Sequence, residues 1–438
     1  MKKIRFLFSV ALALAISLTG VVAPMTPEPA AAAPVPSNAA LKTSVKVDKK
    51  ATLTVLPVAY ASNKYVAAAK FTTGIQGRPV SLQYKQGKKW VHAGLGKMDS
   101  KGRVTFTVKS VKKASYRAVA DTYKVKKKTN KPVSTVTVQP GNQWKSTFKD
   151  TFSGTKVKKA WTTPGTFYAG SRLCASPDPT MTKVKDGKLV ASVRKLDAKV
   201  ASEKKTIAAV GKAAKVEQQK RKDAALKAAN KLKGDAKKKA VAVAKAMKVN
   251  GCPYGVYANA YIDTRESFRQ AEGLLAARIR FPKEQAIHGS AWLQSIRPGT
   301  ARPLGAEIDM IESFGYGKGI TNLIHVDEEG NGQIDTAGGY ILKEKTQNPK
   351  WWDKYHVYSV EWTRSEFVFR VDGVETNRLK KNAVKGDEYT LMITLLSSDW
   401  ELPLLDKPVT SKKTPGVKKP NLAKAKMYVD WIEAWKRA

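Results

Sequence analysis

From about Leu41 onwards the chain is written almost throughout in short apolar and polar alternations cut by turn residues, and that rhythm restricts it to β architecture. Val80-Ser81-Leu82-Gln83-Tyr84, Arg103-Val104-Thr105-Phe106-Thr107-Val108 and Tyr116-Arg117-Ala118-Val119-Ala120 repeat with period two, as strands with one buried face do. Gln86-Gly87-Lys88 and Asp99-Ser100-Lys101-Gly102 supply the turns between them. At 438 residues the chain is too long for one small domain, so more than one β unit is expected.

Pro140-Gly141-Asn142 divides the rhythm in two. Residues 41–138 read as a small sandwich that resembles, by pattern, the immunoglobulin-like accessory domains of secreted bacterial proteins, with residues 124–131 as a basic loop between its last two strands. Residues 142–438 read as a larger β domain. Its expected strands are residues 188–193, 257–263, 273–281, 290–294, 320–326, 355–362, 367–371, 389–396 and 427–435. Asp186-Gly187 and Asp372-Gly373 are hairpin turn signals. The fold class expected is all-β, a two-sheet sandwich preceded by a smaller one.

One stretch departs from the pattern. Residues 197–248 are rich in Ala and Lys, contain no Pro, and have glycine only at Gly211 and Gly234. Leu232, Ala236, Ala240, Val243 and Met247 follow helical spacing, which predicts one or two cationic helices inserted between strands. The apolar stripe is thin and mostly alanine, so the insertion reads as a solvated excursion packed loosely on the sheet. Its charge offers a second reading, an electrostatic arm for wall or membrane anions.

Residues 1–33 read as an export signal: basic Lys2, Lys3 and Arg5, then an apolar run from Phe6 to Val22, then the small residues Ala30-Ala31-Ala32-Ala33. The run falls short of the ~20 residues a spanning helix needs, and no other long apolar run follows, so cleavage is expected there or after Ala23. Residues 34–40 remain as a linker, with no membrane anchor. Cys174 and Cys252, the only two cysteines, flank the insertion; in an exported chain the even number argues for one disulfide closing its base, with two buried thiols as the alternative. The formal net charge of +43 attracts polyanions, and for a secreted monomer these are anionic wall polymers or lipid surfaces. A nucleic-acid module is not expected, because the lysines are dispersed and not interleaved with stacking aromatics. Four scattered histidines and two cysteines make no zinc pattern, and no phosphate-binding glycine loop is present.

The chemistry concentrates in Glu307-Ile308-Asp309-Met310-Ile311-Glu312. Three carboxylates this close repel one another and cost desolvation if buried, which marks them as used. Glu307 and Asp309, two apart on a strand, face the same way, whereas Glu312 faces the other side unless one extra residue at Met310 or Ile311 forms a β-bulge and resets the parity. With the bulge all three share a face, and two carboxyl groups about 5–5.5 Å apart suit a retaining glycosidase.

These residues resemble the glycoside hydrolases of family 16, which include the laminarinase-type endo-β-1,3-glucanases. Gly305-Ala306-Glu307-Ile308-Asp309-Met310-Ile311-Glu312 matches the bulged family signature, except that Ala306 separates the glycine from the first acid. Phe148-Lys149-Asp150-Thr151-Phe152, Asp186-Gly187-Lys188-Leu189, the run from Glu272 to Phe281, His356-Val357-Tyr358-Ser359-Val360-Glu361-Trp362, Val371-Asp372-Gly373 and Tyr428-Val429-Asp430-Trp431 follow in the family order. The resemblance spans residues 142–438 apart from the insertion.

It implies a β-jelly roll whose concave sheet forms a glycan cleft. By motif position Glu307 is the nucleophile, Glu312 the general acid/base and Asp309 the helper that orients Glu307. Ionised Glu307 and Asp309 would then disfavour ionisation of Glu312 and keep it protonated. Trp292 stands where the family carries a substrate platform, His325 where it often has a cleft histidine, and Trp400 is a second platform or a core residue. Trp362 and Trp431 are expected in the core. No cofactor is expected for catalysis; a structural calcium is a family feature, for which Asp430 is a candidate by position.

Two departures weaken the substrate assignment more than the reaction. Arg302-Pro303-Leu304 replaces the tryptophan-proline pair many laminarinases carry before the acids, and Ser397-Ser398 replaces a glycine pair. The expected function is therefore a secreted retaining endo-β-glycanase acting on β-1,3-glucan, with agar- or carrageenan-type galactan or a wall glycan as alternatives. A non-catalytic lectin and a charge-held wall protein are the rival classes.

Overall fold

The chain folds as two units: the described residues up to Thr147 with Val371–Val374 and Ala434–Ala438, and Phe148–Arg370 with Glu375–Glu433. The computed structural model describes residues 41, 44–60, 64–108, 113–164, 172–296, 303–315, 319–326, 335–342, 351–352, 354–380, 386–406 and 420–438. The expected signal 1–33 and linker 34–40 lie outside the described residues.

The N-terminal unit contains two sheets. One has five strands in the order Lys46–Val47, Val133–Ser134, Tyr116–Ala120, Pro79–Gln86, Lys89–Lys97; the other has three, Thr52–Val55, Tyr65–Lys70 and Arg103–Val108. Alternation decides the faces: Val104, Phe106 and Val108 point into a core with Leu53, Val55, Val80, Leu82 and Tyr116, while Thr105 and Thr107 face out. The basic stretch 124–131 is not a plain loop. Tyr123–Val125 and Lys128–Asn130 pair as a separate hairpin, turning at Lys126 with φ 52°.

The larger unit is a jelly-roll sandwich. Its main strands are β1 (Lys188–Lys195), which forms a hairpin with Thr182–Lys185, β2 (Tyr257–Asp263), β3 (Gly273–Arg280), β4 (His288–Ile296), β5 (Pro303–Ser313), β6 (Ile320–Val326), β7 (Asp335–Leu342), β8 (His356–Trp362), β9 (Glu366–Val371), β10 (Val374–Lys380), β11 (Tyr389–Leu396) and β12 (Lys426–Arg437). They are hydrogen-bonded in the order β7-β6-β5-β4-β11-β2-β1-β12-β3-β8-β9-β10. The Asp186-Gly187 turn leads into β1 with both φ values positive, 51° and 66°, the left-handed pair that a two-residue hairpin requires. Every residue of β11 is buried, so its side chains pack on both faces; Leu391, Ile393 and Leu395 each contribute about 1.5–3 kcal/mol by leaving water. Two strands carry no readable alternation: Gly338-Gly339 interrupts β7, and polar residues dominate β10.

The insertion forms two helices between β1 and β2, α1 (Ala201–Ala229) and α2 (Gly234–Ala246). Gly234 opens α2 at φ 58°, a conformation that L side chains rarely adopt. β1 and β2 remain antiparallel neighbours, with Lys195 opposite Tyr257, so the helices replace a hairpin loop and leave the register intact. Val216, Leu232 and Val243 stay exposed, as a thin apolar stripe implies. Cys174 and Cys252 are joined by a disulfide, with Cα atoms 5.4 Å apart, at the base of the excursion.

Candidate active site

β5 carries all three acids, flanked by β4 and β6. Glu307 lies opposite Gln294 on β4 and His325 on β6, and Glu312 lies opposite Ser290 and Thr321. From Asp309 to Glu312 β5 advances three residues while β6 advances only two, from Leu323 to Thr321; the same excess appears against β4. This is the bulge that the parity of the acids requires. Met310 and Ile311 are fully buried, and the carbonyl of Met310 accepts from Asn322 Nδ2 at 2.5 Å. Asn322 Oδ1 in turn accepts from Thr376 Oγ1 at 2.8 Å, so a side-chain pair holds the distorted backbone.

The acids differ in their partners. Glu312, 7% exposed, receives two hydrogen bonds: His288 Nε2 lies 2.8 Å from Oε1, and Thr321 Oγ1 donates to Oε2 at 2.9 Å. Burial alone would raise its pKa, but the hydrogen bonds from His288 and Thr321 outweigh burial and hold the carboxyl below its ordinary value. Glu307 receives Gln294 Nε2 at 2.9 Å, and burial, reinforced by the charge of Glu312, pushes it up to about 7. Asp309, 2% exposed, has no hydrogen bond to Oδ2; His325 Nε2 stands 3.4 Å away. Burial first, then the charges of Glu312 and Glu307, raise Asp309 well above the usual carboxylate range. The donors to Glu312 work against the protonated Glu312 expected from the sequence, whereas Asp309 has no donor on Oδ2.

Residues 288, 290, 292 and 294 of β4 share the face of the acids, and His288, Ser290 and Gln294 all make contacts there. Trp292 lies among them but is only 4% exposed, packed with Tyr261, Met392 and Leu396, with Nε1 donating to Thr394 Oγ1 at 3.2 Å. As an open stacking platform it is a correction to the sequence reading: packed with these neighbours, the ring leaves little surface to solvent. Trp400 is the opposite case, 59% exposed with the Arg172 guanidinium 4.2 Å from its ring centroid. His325 is half-buried, its Nδ1 2.7 Å from Thr336 Oγ1, and burial lowers its pKa. Trp362 is fully buried and Trp431 half-buried.

Sequence reasoning missed the supporting residues. Arg172 Nη2 is 2.7 Å from His288 Nδ1, and Arg172 also pairs with Glu401, which accepts from Ser398 N and Oγ at 2.9 and 2.6 Å. His288 stacks on Phe314 at 4.5 Å. Arg172, His288 and Glu401 come from three segments joined by no motif. Only His288 had a readable signal, since extending the anticipated 290–294 alternation back by two residues places it on the acid face.

Among the described residues Glu307, Asp309 and His325 form the one group whose potential ligand atoms lie within 4.8 Å of one another. They are two of the three motif acids and their neighbour, and Glu307 and His325 already hold Gln294 and Thr336. The calcium candidate Asp430 does not fit: Arg278 Nη1 sits 2.5 Å from its Oδ2, and a cation would have to displace that guanidinium before gathering the six to eight oxygens calcium takes.

A family model described as glycosyl hydrolases family 16 matches residues 204–431. No curated protein matches the chain. Similar solved structures include the endo-β-1,3-glucanase from Pyrococcus furiosus, at 18% identity over 68% of this chain and 96% of that one, with a TM-score of 0.44. The laminarinase catalytic domain from Thermotoga maritima is 17% identical over 67% and 98%, TM-score 0.43. Porphyranase B from Zobellia galactanivorans is 16% identical over 69% and 96%, TM-score 0.43. The family match covers more than half of the chain and includes all three acids, the bulge between them and the strands on either side. The chain belongs to the glycosyl hydrolases of family 16.

Proposed function

We propose that the protein is a secreted retaining endo-β-glycanase whose substrate is β-1,3-glucan. The observation that carries this reading is the bulge in β5, which turns Glu307, Asp309 and Glu312 onto one face. Glu307, ionised above its pKa of about 7, attacks the anomeric carbon; Glu312 protonates the leaving oxygen and then activates the water that releases the sugar. Burial and the charges of Glu312 and Glu307 favour the protonated form of Asp309, the form that can donate to Glu307 and orient it. Each of the three acids feels the charge of another, so pH–rate limbs belong to the set of acids and not to one residue. Trp400 offers its flat face to sugar C–H groups.

The Cys174–Cys252 disulfide supports export, since such bonds persist in oxidising compartments. The cationic surface would hold the enzyme near anionic wall polymers, an attraction that salt weakens. A screen against laminarin, lichenan, agarose and carrageenan, with products sized, tests the substrate. Short oligosaccharides from laminarin are expected; cleavage of agarose or carrageenan alone would move the substrate to the galactans, and binding without cleavage would move the protein to the lectins.

A further inference from the structure

Two side chains less than a turn apart on α1 grip the base of the insertion. Gln218 donates through Nε2 to the carbonyl of Gly251 and accepts from Gly251 N–H, both at 2.8 Å, and Gly251 precedes the disulfide residue Cys252. Arg221 Nη1 lies 3.1 Å from Asp399 Oδ2. Asp399, just after β11, brackets Leu173: Oδ1 accepts from Leu173 N–H at 2.7 Å, and Asp399 N–H donates to the Leu173 carbonyl at 2.9 Å. Cys174, next in the chain, is held by the disulfide and by Tyr257 N–H, which donates to its carbonyl at 3.0 Å. The segment 172–174 is thus fixed from the side of the insertion and from the sheet, and Arg172 projects from it towards the acids.

The tautomer of His288 follows from its partners. An arginine has only donors, so Arg172 Nη2 must donate to His288 Nδ1, which is then the bare ring nitrogen. The ring proton sits on Nε2 and is directed at Glu312 Oε1, with Ser290 Oγ 3.0 Å from the same nitrogen. Glu401 balances the Arg172 charge, and Phe314 stacks on the imidazole. The charged or titratable groups facing His288 and Glu312 are therefore Arg172, Glu401, His325, Glu307 and Asp309.

We propose that the helical insertion is a brace for the catalytic centre: Arg221, acting through Asp399 and the segment 172–174, sets Arg172, and Arg172 locks His288 in the tautomer that donates to Glu312. Arg221, Arg172 and His288 are positioning residues. The proposal rests on the reading of Glu312 as the acid/base, and it gives the cationic insertion a role other than a detached electrostatic arm.

The test uses the full chain carrying ¹⁵N-histidine, the His288 signals being assigned by their loss in His288→Gln. In the wild type the ring should show one fixed Nε2–H tautomer at neutral pH. Arg221→Met should mix the tautomers, and Arg221→Lys, whose ammonium still reaches Asp399, should restore one. On laminarin Arg221→Met should lower kcat about tenfold with little change in KM, and Arg221→Lys should recover most of it. Asp399→Asn, which keeps a side-chain acceptor for Leu173 but drops the charge paired with Arg221, should mix the tautomers in the same way and serves if Arg221→Met does not fold. A folded Arg221→Met or Asp399→Asn protein with the wild-type His288 spectrum overturns the brace. Wild-type protein that cleaves none of the β-glycans overturns the glycanase reading instead, and the His288 spectra still decide the brace.

Discussion

Glu312 and Asp309 stand three residues apart on one strand, on one face, and both are nearly closed to solvent, yet their surroundings drive them in opposite directions. Glu312 has His288 and Thr321 as donors and is held below its ordinary pKa, while Asp309 lacks a donor on Oδ2 and is pushed well above it. Burial is common to both, so burial does not set the two shifts apart. The donors do, because a hydrogen bond to the ionised form offsets the desolvation that the unpaired carboxyl bears in full.

The largest test of this contrast removes the charge from Glu312. Glu312→Gln keeps a side chain of the same shape but no titrating proton, and reducing-sugar release from laminarin should fall by about 10²–10⁴-fold. Activity equal to the wild type would show that Glu312 plays no part in the chemistry. Next, Thr321→Val deletes one donor and moves Glu312 towards the condition of Asp309. A limb of the pH profile of kcat/KM, set jointly by the acids, should shift upwards by about one pH unit; unmoved limbs would mean the hydroxyl does not support the charge.

Asp309→Asn probes the other side. A carboxyl whose folded pKa lies above its unfolded value of 3.8 holds a proton that the unfolded chain releases, so the stability it contributes is present below pH 3.8 and lost as pH rises through the folded value. The neutral amide removes that loss. Asp309→Asn should therefore melt about 3 °C above the wild type at pH 8 and level with it at pH 3, and equal melting at both would place Asp309 in a solvated, unstrained state. The smallest effect is expected at Trp400, beside Arg172 on the Glu312 side. Trp400→Ala should raise KM on laminarin about two- to tenfold, and an unchanged KM would remove it from the substrate path.

Much of the fold was legible because strand alternation and turn chemistry are local. Residues 257–263, 320–326 and 389–396 form strands over the span that their pattern marks, and Asp186-Gly187 turns with the left-handed backbone it implies. β7 and β10 escaped for lack of alternation, not for lack of pairing, since β7 is held by its neighbour β6. Trp292 was placed on the correct face but not at the correct depth. Depth depends on Tyr261, Met392 and Leu396, which reach it from two other strands. The insertion was legible as helix, but its grip on Gly251 and Asp399 was not, because polar residues on a cationic helix read the same whether they face solvent or a partner.

By itself the sequence determined the all-β plan, the helical interruption and the three acids, and their spacing demanded a bulge. Parity along a strand is a one-dimensional property, and a five-residue step between acids that share a face needs one extra residue. Only the tertiary structure decided which acid has hydrogen-bond donors and which lacks one. The donors to Glu312 lie 24 residues before it and 9 after, and Arg172 lies 116 residues from the histidine it fixes. Electrostatic terms fall off through space and not along the chain, so the balance among three neighbouring carboxyls could be settled only by folding.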